Sequence, residues 1–397
     1  MDLDTFFVSC ERLLDPSLNN KPVLVGGTGN RGVVSACSYE TRLFGVYSGM
    51  PMRMAKMLCP EATVIKGNGG IYGKYSKMVT DIIKEEAPLY EKSSVDEFYI
   101  DMTGMDRFFG AHKWAVELRQ RIIRETNLPI SLGMSSSKTV AKISTGEAKP
   151  NGFLKIERGQ EKPFLAPLSV KKIPMVGDKT YKMLRDMGVE KIKTIQEMPM
   201  DLMRRIMGKN GVAIWKKAQG IDNNPIIPYH EKKSISSSLT FGKDSTDVKR
   251  LKEILCAMTE KLSYYLRMGN KLTACVSVTV RYSDFDTHSR QSRIDHTAND
   301  HTLIEIVMGL FDKLYTRRVL VRLVGVRFSH LVDGGYQINL FEDPEEMVKL
   351  YQAMDKIRDR YGQNAIRRVS GMDTTGIGQF SNPFNGEPNF VPAHRRI

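Results

Sequence analysis

Four carboxylates stand in two close pairs, Asp2 with Asp4 and Asp96 with Glu97. The first pair opens the stretch 1–7, which reads as a short strand running straight into a helix. The second falls at the bend between two strand-like runs, Leu89 to Ser94 and Phe98 to Met102. Neighbouring residues of a regular strand point to opposite faces, so Asp96 and Glu97 can serve one site only from a bend. Asp2, Asp96 and Glu97 on adjacent strands would repel one another unless a cation neutralised them. Oxygen ligands with room for water and phosphate suit Mg²⁺. Two such ions roughly 3.5–4 Å apart activate an attacking oxygen and stabilise a leaving one in displacement at phosphorus. Aspartate is also common in exposed turns, so spacing alone leaves both readings open.

A second group of residues has the chemistry to hold a phosphate chain. Tyr39 and Arg42 are three apart and can share a helix face. Arginine offers a fork for phosphate, and tyrosine adds a donor. Lys149 follows a helical pattern and precedes Pro150-Asn151-Gly152, so its ammonium can reach a triphosphate as a point charge. Each of the three alone is equally an ordinary surface residue. Phe6 and Phe7 follow the acidic strand directly, a place where aromatic rings are commonly core.

The elements that must position these groups follow from the hydrophobic pattern. Val23 to Gly26 and Val33 to Ser38 read as a strand pair around a glycine-rich turn, 71–86 and 106–126 as helices, and Ile130 to Ser135 as a strand. Ser136 or Ser137 can cap a helix ending near Lys149. Strands and helices in this mixed order suit a ferredoxin-like sheet with an insertion after its first strand. Residues 157–228 hold short helices, and 153–230 contain fifteen Lys and Arg against eight Asp and Glu, half of the chain's net charge of +14. Residues 229–238 are Ser- and Lys-containing and read as a linker. Strands Ala274 to Tyr282 and Val319 to Phe328, with helical patterns at 247–267 and 301–315, form a second α+β unit. From about Ser381 the composition predicts disorder.

The 397 residues allow two to four domains, and 41% hydrophobic content is enough for ordinary cores. No apolar run approaches the ~18 residues of a membrane span, and the N-terminus lacks signal-peptide character. Five scattered cysteines without a CxxC pair argue against a disulfide framework or structural zinc and fit a reducing cytoplasm. The positive charge favours a polyanionic partner.

Four motifs occur in order: Asp2-Leu3-Asp4-Thr5-Phe6-Phe7, Ser35 to Gly45, Ser94-Val95-Asp96-Glu97 and Ala148-Lys149-Pro150-Asn151-Gly152. Together they resemble the Y-family translesion DNA polymerases, nearest the DNA polymerase IV branch. The resemblance implies an α+β, multi-domain right-hand polymerase. It would have a ferredoxin-like palm (1–7 and 69–156), small fingers (8–68), a helical thumb (157–228) and, past the linker (229–238), a little finger (239–341). A C-terminal extension (342–397) would follow. Asp2, Asp96 and Glu97 would be catalytic and, with the Leu3 carbonyl, hold two Mg²⁺ ions, Mn²⁺ being a substitute. Phe6, Ser35, Tyr39, Arg42 and Lys149 would surround the incoming dNTP, with Phe7 as the steric gate against a 2′-hydroxyl. The implied activity is template-directed, error-prone extension of a primer without proofreading, by a cytoplasmic monomer. The alternative is a catalytically inactive DNA-binding or scaffold relative.

Other resemblances concern partners. Ile173 to Thr180 resembles a helix-hairpin-helix turn, with Met175 where the usual form has glycine, so Gly177, Lys179 and Thr180 would meet a DNA phosphate. Arg281, Arg322 and Arg327 lie in runs similar to little-finger strands that face primer-template DNA. Gln337-Ile338-Asn339-Leu340-Phe341 resembles a sliding-clamp-binding pentapeptide, anchored by Gln337, Leu340 and Phe341. It is followed by an Arg-rich helical pattern near 345–369, an arrangement closer to the UmuC-like branch. Family members usually carry several apolar residues before the first aspartate. Here Asp2 follows Met1, which would shorten the first strand and place a terminal ammonium beside the carboxylates. The expectation is a translation start further upstream, or reduced activity.

Overall fold

Met1 to His230 form one unit, and Glu231 to Pro383 form a second. The computed structural model describes residues 1–29, 31–105, 110–334, 344–362 and 365–371. The expected α+β, multi-domain class is observed. Among the described residues no helix is long and apolar enough to cross a membrane.

The first unit runs β1 (Asp2–Leu3), α1 (Phe6–Leu14), β2 (Val23–Gly26), β3 (Val34–Cys37), α2 (Tyr39–Arg42), α3 (Met52–Leu58), β4 (Thr63–Lys66) and α4 (Gly69–Glu86). It continues with β5 (Leu89–Lys92), β6 (Phe98–Asp101), α5 (Ala111–Thr126), β7 (Ile130–Met134), α6 (Lys138–Ala148) and β8 (Phe153–Lys155). Four helices complete it: α7 (Glu161–Leu165), α8 (Asp178–Asp186), α9 (Ile192–Glu197) and α10 (Met200–Ala218). Strand β1 pairs antiparallel with β7, and β7 pairs parallel with β8. On its other side β1 meets the start of β6 through a single bridge, Asp2 to Glu97. The β5–β6 hairpin extends the surface from there. Leu3, Phe6, Val79, Ile83, Phe98, Ile122 and Ile130 are buried together, so α1, α4 and α5 seal one face of these strands. A separate three-stranded sheet, β3-β2-β4, has its own core of Leu24, Val34, Cys37, Val46 and Met52. The helical region closes on Leu165, Val170, Leu184, Ile195 and Ile214, joined by Val140 and Ile143 from α6. Helix α6 thus serves the strand layer with one side and the helical core with another.

The second unit contains β9 (Ser234–Ser245), α11 (Val248–Met268), β10 (Lys271–Tyr282), β11 (Thr287–Thr297), α12 (Asp300–Leu314), β12 (Val321–Asp333) and α13 (Pro344–Tyr361). Its antiparallel sheet has the order β11-β10-β12-β9. Helices α11 and α12 bury one face against Val276, Val278, Val280, Val324 and Phe328. Two strands lack the expected signature. The second half of the 229–238 linker belongs to β9, whose inward positions include Ile235 but also Ser237, so its alternation is faint. Strand β11 is an edge strand, exposed along most of its length and polar on both faces.

Helix α13 is fastened to α11 by buried charge. Arg358 donates to Glu260 at 2.6 Å, Arg267 pairs with Asp300 at 2.6 Å and with Asp355 at 2.7 Å, and Tyr264 donates to Asp359 at 2.5 Å. Arg358→Met strands the Glu260 carboxylate in a buried position. It is expected to destabilise this unit by about 3–5 kcal/mol, read from urea denaturation. Replacing Glu260 by Leu in the same chain should recover most of the loss.

Candidate active site

The catalytic carboxylates expected from the sequence meet through the backbone. Leu3 N donates to the Asp96 carbonyl at 2.9 Å and Phe98 N to the Met1 carbonyl at 3.0 Å, which sets Asp2 beside Glu97 across the bridge. Ser94 closes the bend. Its hydroxyl donates to Asp96 Oδ1 at 2.5 Å and accepts from the Asp96 and Glu97 amides. Two lysines occupy the other carboxylates. Lys149 donates to Asp2 Oδ1, and Lys142 grips both Glu97 oxygens at 2.5 and 2.6 Å. Among the described residues, accordingly, no three Asp, Glu, His or Cys side chains form a ready cation cage. The strands bring the residues together, while their carboxylate ends turn to Lys149, Ser94 and Lys142. The Met1 nitrogen donates to the Phe98 carbonyl at 2.9 Å and not to a carboxylate.

These partners set the protonation balance. Burial pushes Asp2 up to about 6; Lys149 opposes the shift, and the Asp96 and Glu97 charges add to it. Burial also disfavours the Glu97 anion, but the hydrogen bonds and charge of Lys142 outweigh it and hold Glu97 below the usual carboxylate range. As donors, the three carboxylates fit a hard divalent cation, which would take the places of lysine and serine.

Asp4 is a fastening point. It is 1% exposed and accepts from Ser131 Oγ at 3.0 and 2.8 Å, from the Asn151 amide at 2.6 Å and from Tyr39 OH at 3.4 Å. Lys149 stands 3.8 Å from it. Asp4 thereby ties β1, β7, the loop after α6 and α2 to one another. Gly152 is needed at that loop because a Cβ there would lie 1.9 Å from the Ala148 carbonyl oxygen. Asp4→Ala leaves a buried hydroxyl and amide without an acceptor. It should cost about 3 kcal/mol, measured by chemical denaturation, with Asp4→Asn losing less.

Ser38 caps α2 by accepting from Thr41 N, and the turn sets the Arg42 guanidinium 5.0 Å from the Tyr39 ring centroid. Tyr39 and Lys149 therefore meet at Asp4, and Arg42 stands over the Tyr39 ring beside them. Ser35 is exposed on β3. Phe6 is core, 3% exposed. Phe7 is half-buried and stacks on Tyr72 at 4.3 Å between ring centroids and 14° between planes. Tyr72 in turn donates to the buried Glu11 carboxylate at 2.5 Å.

The candidate DNA contacts divide by location. Gly177 caps α8, with Lys179 and Thr180 in its first turn. Met175 adopts φ 87, the left-handed backbone for which glycine is the usual residue. In the second unit Arg327 lies opposite Ser277 and Ser236, on the sheet face away from the helices. Arg281 shares that face and donates to Thr287 Oγ1 at 2.8 Å. Arg322 does not join them. It falls where the register shifts, and its guanidinium sits 4.4 Å from the Phe285 ring centroid. Gln337, Leu340 and Phe341, like the tail from 381, lie outside the described residues.

Lys142, Ser131 and Tyr72 are additional members of this site. Lys142 does carry a faint signal: it precedes Lys149 by seven positions in the helical pattern, which is two turns. Ser131 and Tyr72 carry none, since their partners are remote in sequence.

The arrangement has relatives. Residues 1–146 match the impB/mucB/samB family, and residues 232–340 match the C-terminal domain of the same family. A DNA polymerase IV of Dehalococcoides mccartyi is 36% identical over 374 residues, covering 92% of this chain and 95% of the relative. One from Treponema denticola is 33% identical over 385 residues, covering 95% and 98%. Among solved structures, a Y-family chimera of Dbh and Dpo4 matches with a TM-score of 0.74 at 25% identity, covering 84% of this chain and 98% of that one. An insertion ternary complex of Dbh DNA polymerase matches with a TM-score of 0.61, also at 25% identity and the same coverage. With the paired acidic strands and the lysine-rich helix beside them, these matches place the chain in the impB/mucB/samB family, and it is a translesion DNA polymerase of the Y family.

Proposed function

We propose that the chain extends a primer 3′ end on template DNA by nucleotidyl transfer, using Asp2, Asp96, Glu97 and the Leu3 carbonyl as ligands for two divalent ions. Mg²⁺ suits these oxygens, with Mn²⁺ able to replace it. When bound, such ions lower the cost of the charge that develops on the attacking and leaving oxygens. The observation that supports this reading best is the Asp2–Glu97 bridge, which sets the acidic bend next to the first strand.

The protein's own share is positioning and charge. Tyr39 and Lys149 at Asp4, with Arg42 over the Tyr39 ring, form a cationic, donor-rich side for the triphosphate of a dNTP. Phe7 lies under the sugar, held flat by Tyr72. The small side chain of Ser35 leaves space at the nascent base pair. Residues 1–7 with 69–156 act as palm, 8–68 as fingers and 157–228 as thumb. The open sheet face of the second unit tracks the duplex with Arg281 and Arg327. Residues 337–341 are a sliding-clamp contact, and the enzyme works as a cytoplasmic monomer.

Extension of a primed template with each metal and each dNTP tests the reading, including a template with a damaged base. The expected result is metal-dependent incorporation that continues past the lesion. Absence of incorporation across Mg²⁺ and Mn²⁺, with DNA binding intact, would instead establish a scaffold.

A further inference from the structure

A cavity of about 390 Å³ opens beside Asp2. Asp2, Glu97, Ser135, Lys138 and Lys142 line it, whereas Asp4, Tyr39, Arg42 and Lys149 do not. In-line displacement places the attacking and leaving oxygens on opposite sides of phosphorus. If the triphosphate rests with Tyr39, Arg42 and Lys149, the strand bearing the nucleophile enters from the cavity side. We infer that Lys142 is a positioning residue for that strand: its ammonium neutralises Glu97 and passes to the phosphate behind the primer 3′ end when a divalent cation takes the carboxylate. This inference rests on the polymerase reading of Asp2, Asp96 and Glu97.

Three observations carry it. Lys142 contacts both Glu97 oxygens, the geometry of a counter-ion occupying a cation's place. A divalent ion on the same carboxylate would repel the ammonium, and the nearest new anion is a strand phosphate in the cavity. Lys142 can make that move. Its side chain is 39% exposed, on a flexible four-carbon stem. Its neighbour one turn away, Lys138, is already committed to Glu91 and the Pro225 carbonyl. Finally, Ser135 Oγ is buried at the cavity with no hydrogen-bond partner among the described residues, a further donor for a phosphate oxygen.

The test uses the full chain with Lys142→Met and Lys142→Arg. Mn²⁺ binding without DNA is followed by electron paramagnetic resonance of the free ion, and primer-template binding by anisotropy across a salt series. Removing the competing ammonium should tighten Mn²⁺ binding by about 3- to 5-fold. Loss of one phosphate contact should lower the slope of log affinity against log salt by about one. Lys142→Arg should keep the wild-type slope. A purely structural role would weaken both kinds of binding together. Unchanged or weaker Mn²⁺ binding in Lys142→Met, or an unchanged salt slope, would overturn the inference. Asp96→Ala separates the two levels. If it retains Mn²⁺ binding and extension, the metal reading itself fails. If it loses both while Lys142→Met alters neither binding measure, only the role of Lys142 fails.

Discussion

Asp96→Ala is expected to lower the single-turnover rate of primer extension by at least about 10³-fold and to leave primer-template affinity unchanged. The Asp96 backbone carbonyl, which accepts from Leu3 N, survives the substitution, so the bend and the β1 contact persist. What disappears is a carboxylate whose hydrogen-bond partner is the hydroxyl of Ser94. Its charge matters in the transition state far more than in the ground state, so kcat and kcat/KM should fall together. Asp96→Asn keeps the shape and the Ser94 contact but not the charge, and should lose nearly as much. Full-rate extension by the alanine variant would remove Asp96 from the metal site.

Phe7→Ala is expected to reduce discrimination against ribonucleotides by about 10- to 100-fold, measured as the ratio of kcat/KM for dNTP and rNTP. The ring excludes by volume, and forcing an extra group against a packed ring costs about 1–3 kcal/mol. The stack on Tyr72 at 4.3 Å prevents the ring from yielding, and the Tyr72 hydroxyl is held by Glu11. Incorporation of dNTP should fall much less, because the ring makes no polar contact that the sugar would lose. An unchanged ratio would leave Phe7 as a core residue and nothing more.

Much of the site is readable from local rules. A strand that leads at once into a helix sets Asp2 near Phe6 and Phe7. A bend at Asp96 and Glu97 lets both serve one side of a sheet. Ser38 and Ser137, each just before a helical pattern, cap α2 and α6 as capping residues do. The exceptions are instructive. Strand β11 is polar on both faces because it lies at a sheet edge, so it lacks the alternation that marks a strand. Arg322 lies five positions before Arg327, so strand alternation already sets the two on opposite faces, and beside the register shift its guanidinium meets Phe285.

The sequence by itself determined the chemistry on offer: which carboxylates, which cations and which aromatic rings, in what order along the chain and on what kind of element. Those features depend on residue type and on neighbours within a few positions. Only the tertiary structure decided the partners. Lys142 reaches Glu97 across 45 positions, Tyr72 reaches Glu11 across 61, and Ser131 reaches Asp4 across 127. Such pairs form because strands and helices distant in the chain bury their apolar sides in one core, and the polar groups at its rim must then satisfy one another.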